Sequence, residues 1–161
     1  MVEPTEPEPT EPEHPFLIDL EPFAGFEVGV LVERAAYAPG ETVRITVTAS
    51  NTGDRYVEHR YPGWQRFVVS VRDEYHRVVA DDTVLRTADT PAVDRWLPGQ
   101  LLVLPSYWNQ TTGPLVPAWS DAPPGPRAEP GRYRVRVSWL GREPGVAAEP
   151  ADAWSRWFSL T

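Results

Sequence analysis

The sequence predicts an all-β protein, a sandwich of two antiparallel sheets with seven to eight strands. Three observations carry that prediction. Apolar and polar residues alternate with period two in several runs, Pro-Gly and Asn-Thr-Gly turns stand beside those runs, and no window holds a capped 3.6-residue apolar stripe. Size and composition agree. A single domain of 161 residues buries about two-thirds of its unfolded surface. A content of 41% hydrophobic and 11% aromatic residues is too apolar for a wholly disordered chain, and 19 prolines suit turns and strand edges rather than helices.

Taken in chain order, residues 1–25 read as an acidic Pro-rich disordered linker and residues 26–161 as the sandwich. The repeat Glu3-Pro4-Thr5-Glu6-Pro7-Glu8-Pro9-Thr10-Glu11-Pro12-Glu13 has no apolar face, and its prolines favour extended polyproline conformation. Its five glutamates supply five of the eight net negative charges. Phe26 to Ala36 holds the first strand candidate. From Glu41 to Ala49 the alternation is unbroken, so Val43, Ile45, Val47 and Ala49 face a core while Arg44, Thr46 and Thr48 face water. Further candidates are Tyr56 to Tyr61, the run through Phe67, Val69 and Val71, Arg77 to Ala80, and Gln100 to Trp108. Ala88 to Trp96 holds one short helical turn at most. Arg132 to Trp139 alternates again, burying Tyr133, Val135, Val137 and Trp139, and Trp154 to Leu160 closes the series. Ala38-Pro39-Gly40, Asn51-Thr52-Gly53, Leu97-Pro98-Gly99 and Glu129-Pro130-Gly131 supply the turns, because Pro presets φ and Gly or Asn accepts positive φ.

One residue narrows the sandwich to the immunoglobulin-like kind. Tyr133 stands just after the Pro130-Gly131 turn, where such domains place a tyrosine whose hydroxyl turns back onto upstream backbone.

Four short blocks then appear in a particular order. They are Gly40-Glu41 leading to Ser50-Asn51-Thr52-Gly53; Phe67 to Asp73 with Arg77-Val78-Val79; Leu97-Pro98-Gly99-Gln100 running to Trp108-Asn109-Gln110; and Pro130 to Val135. In that order they resemble the bacterial intracellular proteinase inhibitor family, the BsuPI-like domain, over residues 28–141. The resemblance implies an immunoglobulin-like sandwich and a founding member that inhibits a cytosolic serine protease. Two features depart from the family. Glu74-Tyr75-His76 stands where a turn glycine is usual, and the loop from Thr111 to Glu129 is longer and richer in proline. No reactive-site residue carries over.

Charge and composition exclude several classes. All 15 basic residues are arginine, so no lysine can form a Schiff base or cradle a phosphate. A net charge of −8 opposes counterion-release binding to nucleic acid. The absence of cysteine removes disulfides, thiolate metal sites and cysteine nucleophiles. No apolar run approaches bilayer-crossing length, so membrane insertion is not expected. Cytoplasmic and exported placements both stay open, the latter with a signal ahead of Met1.

No catalytic or cofactor-binding residue is expected. The spacing permits a triad through His59, but no Gly-x-Ser-x-Gly elbow accompanies it. Asp73, Glu74, His76, Asp81 and Asp82, with Asp89 and Asp94 nearby, could suit a hard cation, yet lack ordered calcium-loop spacing and read as solvated hairpin charge. Arg132, Arg134 and Arg136 form an outward row about 7 Å apart. It could meet an acidic partner or the chain's own Glu-rich segment, but reads as a solvated face beside Glu33 or Glu41. Trp139, Phe67 and Phe158 read as core; Trp64, Trp96, Trp108, Trp119, Trp154 and Trp157 divide between end caps and interface anchors.

The expected function is a non-enzymatic, monomeric binding module that meets a protein partner, a serine protease among the candidates. The expected contact residues are Leu115, Val116, Pro117 and Trp119 in the Pro-stiffened loop, with Trp108 and Trp64. The alternatives are an extracytoplasmic adhesion or assembly module on a Glu-Pro spacer and a carbohydrate-binding module using surface tryptophans.

Overall fold

The computed structural model describes residues 25–82, 91–115, 123, 125–145 and 151–161. The acidic repeat and the centre of the 111–129 loop lie outside them. Where apolar side chains recur at every second position, extended backbone buries one face and solvates the other. That rule is obeyed most fully by β3 (Val43–Asn51), whose Val43, Ile45, Val47 and Ala49 are all fully buried. It lies between β1 (Phe26–Val32) and β8 (Leu101–Trp108), antiparallel to both.

The facing sheet is centred on β10 (Gly131–Trp139), which pairs antiparallel with β5 (Phe67–Asp73) and with β12 (Phe158–Leu160). Beyond β5 come β6 (Val78–Asp81) and the short β9 (Gly113–Pro114); beyond β12 comes β2 (Ala36–Tyr37). A further short strand, β11 (Asp152–Trp154), pairs with the C-terminal half of β10. The fold is thus an immunoglobulin-like antiparallel β-sandwich. Of its strands among the described residues, β1, β3, β5, β8, β10 and the two introduced next have at least five residues.

Those two form a third layer that the sequence did not suggest. β4 (Val57–Tyr61) and β7 (Ala92–Trp96) pair antiparallel, Val57 opposite Trp96 and Tyr61 opposite Ala92. Within 88–96, where one short helical turn at most was expected, residues 92–96 form a strand, and 88–90 lie outside the described residues. Its partner residues lie 31 to 39 positions upstream, and such non-local pairing overrides a weak local pattern. The ribbon closes one end of the sandwich over Phe26, Ala49, Val57, Tyr61, Trp96 and Trp139. The larger cluster fills the middle and the other end, with Val43, Ile45, Val69, Val135, Trp108 and Phe158 among its members.

Polar side chains hold the turns. The Tyr133 hydroxyl donates to the Glu129 carbonyl at 2.6 Å, forming the expected tyrosine corner. Asn51, fully buried, donates to the carbonyls of Arg55 and Trp96 and accepts from Gly53 N–H. Gln110 Nε2 donates to the Ala38 and Glu41 carbonyls at 2.8 and 2.9 Å, gripping the turn in which Gly40 adopts φ +81°. At the glycine-free hairpin, His76 takes φ 63° while the Asp73 carboxylate accepts from the Tyr75 and Arg77 backbone N–H groups. A side-chain-closed turn does there what glycine commonly does.

Candidate functional site

β8 is the outer strand of its sheet, with β3 on one side and no strand on the other among the described residues. Its register with β3 sends Leu102, Leu104, Ser106 and Trp108 inward, opposite Ala49, Val47, Ile45 and Val43. The alternate row faces out: Leu101 and Val103 are each 58% exposed, Tyr107 is 53% exposed, and Pro105 lies between them, also exposed. Leu31 on β1, 58% exposed, falls in line with Pro105 through Thr46. Natural edge strands are commonly blunted by charge, shortness or proline. Leu101 to Trp108 contains no charged residue, and Pro105 is its one proline.

Close by, Trp64 is 52% exposed and lines a cavity of about 260 Å³ with Gln65, Arg66, Phe67, Asp82 and Leu104. Arg66 is fixed by a two-pronged ion pair to Asp94 and lies over the Tyr61 ring, 4.8 Å from its centroid. Leu104 belongs to the inner row of β8, so the cavity opens beneath the apolar edge.

Two of the expected contact residues are corrected. Trp108 is only 1% exposed: it packs against Tyr133 and Phe158, and its indole N–H donates to the Thr111 carbonyl. Leu115 is 8% exposed, held in the core as its N–H donates to the Asp81 carbonyl. Trp108 takes the last inward position of β8, opposite Val43, and Leu115 directly follows β9, where its backbone bond to β6 brings it onto the core. Val116, Pro117 and Trp119 lie outside the described residues. Trp96 is buried as well, whereas Trp154 is exposed and Trp157 half-buried.

His59 is not presented to solvent. It is 6% exposed among Phe26, Tyr61 and Trp96, and its Nδ1 accepts from the Trp139 indole N–H at 3.1 Å. Burial pushes its pKa below the ordinary value, against the opposing pull of Glu143 and Asp94. Burial likewise raises the Tyr61 phenol. The acidic residues near the β5–β6 hairpin are engaged separately. Asp73 binds Arg77, Asp82 accepts from Val69 N–H and Asp94 holds Arg66. Among the described residues no group of three metal-ligating side chains converges. Burial raises the Asp73 carboxyl, but its hydrogen bonds with Arg77 and Tyr75 outweigh that and hold it below the usual range.

The outward arginine row has chiefly aromatic neighbours, and its one carboxylate partner among the described residues is Asp152, paired with Arg136. Arg134 stacks on Trp154 at 3.9 Å and on Trp157 at 4.7 Å, Arg136 lies 5.5 Å from Trp154, and Arg132 lies 5.2 Å from Trp157. Arg72 on β5 reaches Trp154 at 5.9 Å. Glu33 and Glu41, expected beside this row, pair instead with Arg44 and Arg34. Ser155 sets the ladder in place: its Oγ accepts from Val135 N–H, and its own N–H donates to the Val135 carbonyl. The sequence signal was present in Trp154-Ser155-Arg156-Trp157, two tryptophans flanking a small polar residue, opposite a strand of alternating arginines.

The class of protein these features define is an immunoglobulin-like β-sandwich module with an exposed apolar edge. No family model matches the chain, and no curated protein matches it. The resemblance to the BsuPI-like inhibitors rests on the quoted blocks alone. Among solved structures, the chain is similar to a CARDB domain from Pyrococcus furiosus, solved with di-metal ions. The identity is 13% and the TM-score 0.45, over 85% of this chain and 90% of that one. It is also similar to part of a β-glucosidase from Listeria innocua, with 13% identity and a TM-score of 0.45, over 86% of this chain and 16% of the enzyme. A third likeness is to the sporulation control protein Spo0M of Bacillus subtilis, with 17% identity and a TM-score of 0.39, over 84% of this chain and 49% of that one. Likenesses this remote carry no functional statement.

Proposed function

We propose that this domain is a non-enzymatic protein-binding module that receives an extended segment of its partner along β8. The carrying observation is the uncharged apolar row Leu101, Val103, Pro105 and Tyr107 on an edge that no strand among the described residues pairs. An added strand would satisfy the free backbone groups of that edge, and its alternate side chains would cover the row. Burying side chains of this kind contributes about 1.5–3 kcal/mol each when burial is complete. The cavity beside Trp64 offers an anchor point for an aromatic or aliphatic side chain of the same partner. A serine protease falls within the partners such an edge could engage. The carbohydrate reading has weaker support, because Trp96 and Trp108 are buried and Trp64 is the one tryptophan lining the cavity among the described residues.

The test uses the full chain and its Leu101→Lys/Val103→Lys variant. Hydrogen exchange of β8 amides is followed with and without the captured partner, or with subtilisin-type proteases at micromolar concentration. Slower exchange confined to β8, lost in the variant at unchanged melting temperature, supports the reading. A partner held equally well by the variant overturns it. So does sedimentation showing that β8 is already covered by a second copy.

A further inference from the structure

The net charge of this chain is unevenly distributed. Residues 1–24 contain seven acidic residues and no basic one, so nearly all of the net charge of −8 resides there. The sandwich itself is close to neutral, yet one patch of it is not. Arg72, Arg132 and Arg134 form no ion pair with a carboxylate among the described residues, unlike Arg136, which binds Asp152. Their guanidinium groups lie over the Trp154 or Trp157 rings, and the Nε atoms of Arg72, Arg134 and Arg136 are buried without a hydrogen-bond partner. Arg72 gives one N–H to the His76 carbonyl and Arg134 meets His76 Nδ1, which leaves each of them further guanidinium N–H groups, and Arg132 its whole fork, for an anion beside the tryptophan rings.

We propose that this Arg–Trp ladder is the docking surface for the chain's own acidic repeat, Glu3 to Glu13. Two kinds of contact match. A polyproline helix presents rigid proline rings to aromatic faces, and it orders at little entropic cost because it is already extended. Carboxylates meet guanidinium groups through short charge-assisted hydrogen bonds. The five-residue period of the repeat sets its glutamates two or three residues apart, about 6–9 Å at 3.1 Å per residue, which spans the roughly 7 Å between successive arginines.

The point of entry also fits. The Gly25 carbonyl is held by Thr52 and Gly53 N–H, and the Phe26 ring lies 5.5 Å from Trp139, the last residue of β10. From there to Arg132 is seven strand residues, about 24 Å. The twelve residue steps from Glu13 to Gly25 would span about 37 Å if fully in polyproline conformation, so the repeat can reach the ladder.

The chain contains no cysteine, so a single spin label can be placed at Thr10→Cys without altering other residues. Paramagnetic broadening is then read on the amides of residues 132–136 and on the indole N–H of Trp154 and Trp157. At low salt the proposal expects these signals to fall below half their diamagnetic intensity while β8 amides keep theirs. The broadening should vanish near 1 M salt, where the screening length is about 3 Å. It should also vanish when Glu3, Glu6, Glu8, Glu11 and Glu13 are all changed to Gln, substitutions that leave the sandwich intact, and in Arg132→Gln/Arg134→Gln. Uniform broadening, or broadening indifferent to salt and to the Glu→Gln changes, overturns the proposal. Mixing isotope-labelled chain without the spin label and spin-labelled chain without isotope decides the occupant: transfer between molecules would assign the surface to a second copy's repeat and overturn the intramolecular form.

Discussion

The two outer faces of the sandwich solve the same problem in opposite ways. On the β10 side, Arg132, Arg134 and Arg136 alternate with buried residues, and the 154–157 segment folds back to lay two indoles among them. On the β8 side, the alternating outward row is apolar and no segment among the described residues lies over it. One face is covered from within the chain and is polar at its tip; the other has no cover among the described residues. The contrast teaches that burial pattern alone does not mark a binding face. What marks it is apolar surface for which the described chain supplies no cover.

If that contrast is right, substitutions should affect stability on one face and not on the other. The largest loss is expected for Trp154→Ala, which removes stacking from Arg72, Arg134 and Arg136; each contact is worth about 0.5–1 kcal/mol, so chemical denaturation should register about 2–3 kcal/mol with the lost ring packing. Next comes Ser155→Ala, which leaves the Val135 N–H without its side-chain acceptor and should cost about 1–2 kcal/mol in the same measurement. A pH series acts on neither face but on the ribbon-capped end. His59 has its pKa lowered by burial, so the unfolded chain takes up the proton first. Its contribution is complete above the ordinary histidine value of about 6.5 and is lost as pH falls below it. Melting temperature should therefore drop between about pH 7 and pH 5, and His59→Gln should flatten that drop. The smallest change is expected for Val103→Lys, within about 0.5 kcal/mol of wild type, since its side chain stands in water. A loss there comparable to Trp154→Ala would erase the difference between the faces.

Much of the architecture could be read locally. Val43 to Ala49 and Tyr133 to Trp139 alternate so regularly that only an extended strand buries one set and solvates the other. The turn at Pro130-Gly131 placed Tyr133 for its corner, and His59 fell within a strand as its flanking residues suggested. The candidate site was far less legible. A tryptophan's identity does not say which way it faces: Trp108 and Trp96 are interior, while Trp64 and Trp154 meet water. Leu115 looked like the anchor of an exposed loop until its backbone was seen tied to Asp81. The β7 strand was missed for a related reason, since Ala92 to Trp96 has no strong alternation and gains its form from β4.

The order of residues by itself determined that this protein is a layered β-structure, because a period of two is a property of neighbouring backbone torsions and needs no distant contact. Which strand became an edge, which indole covered which guanidinium, and which apolar row was left facing water were decided only in three dimensions. Those outcomes depend on pairings between segments tens of residues apart, and the free energy of such a pairing belongs to both partners at once.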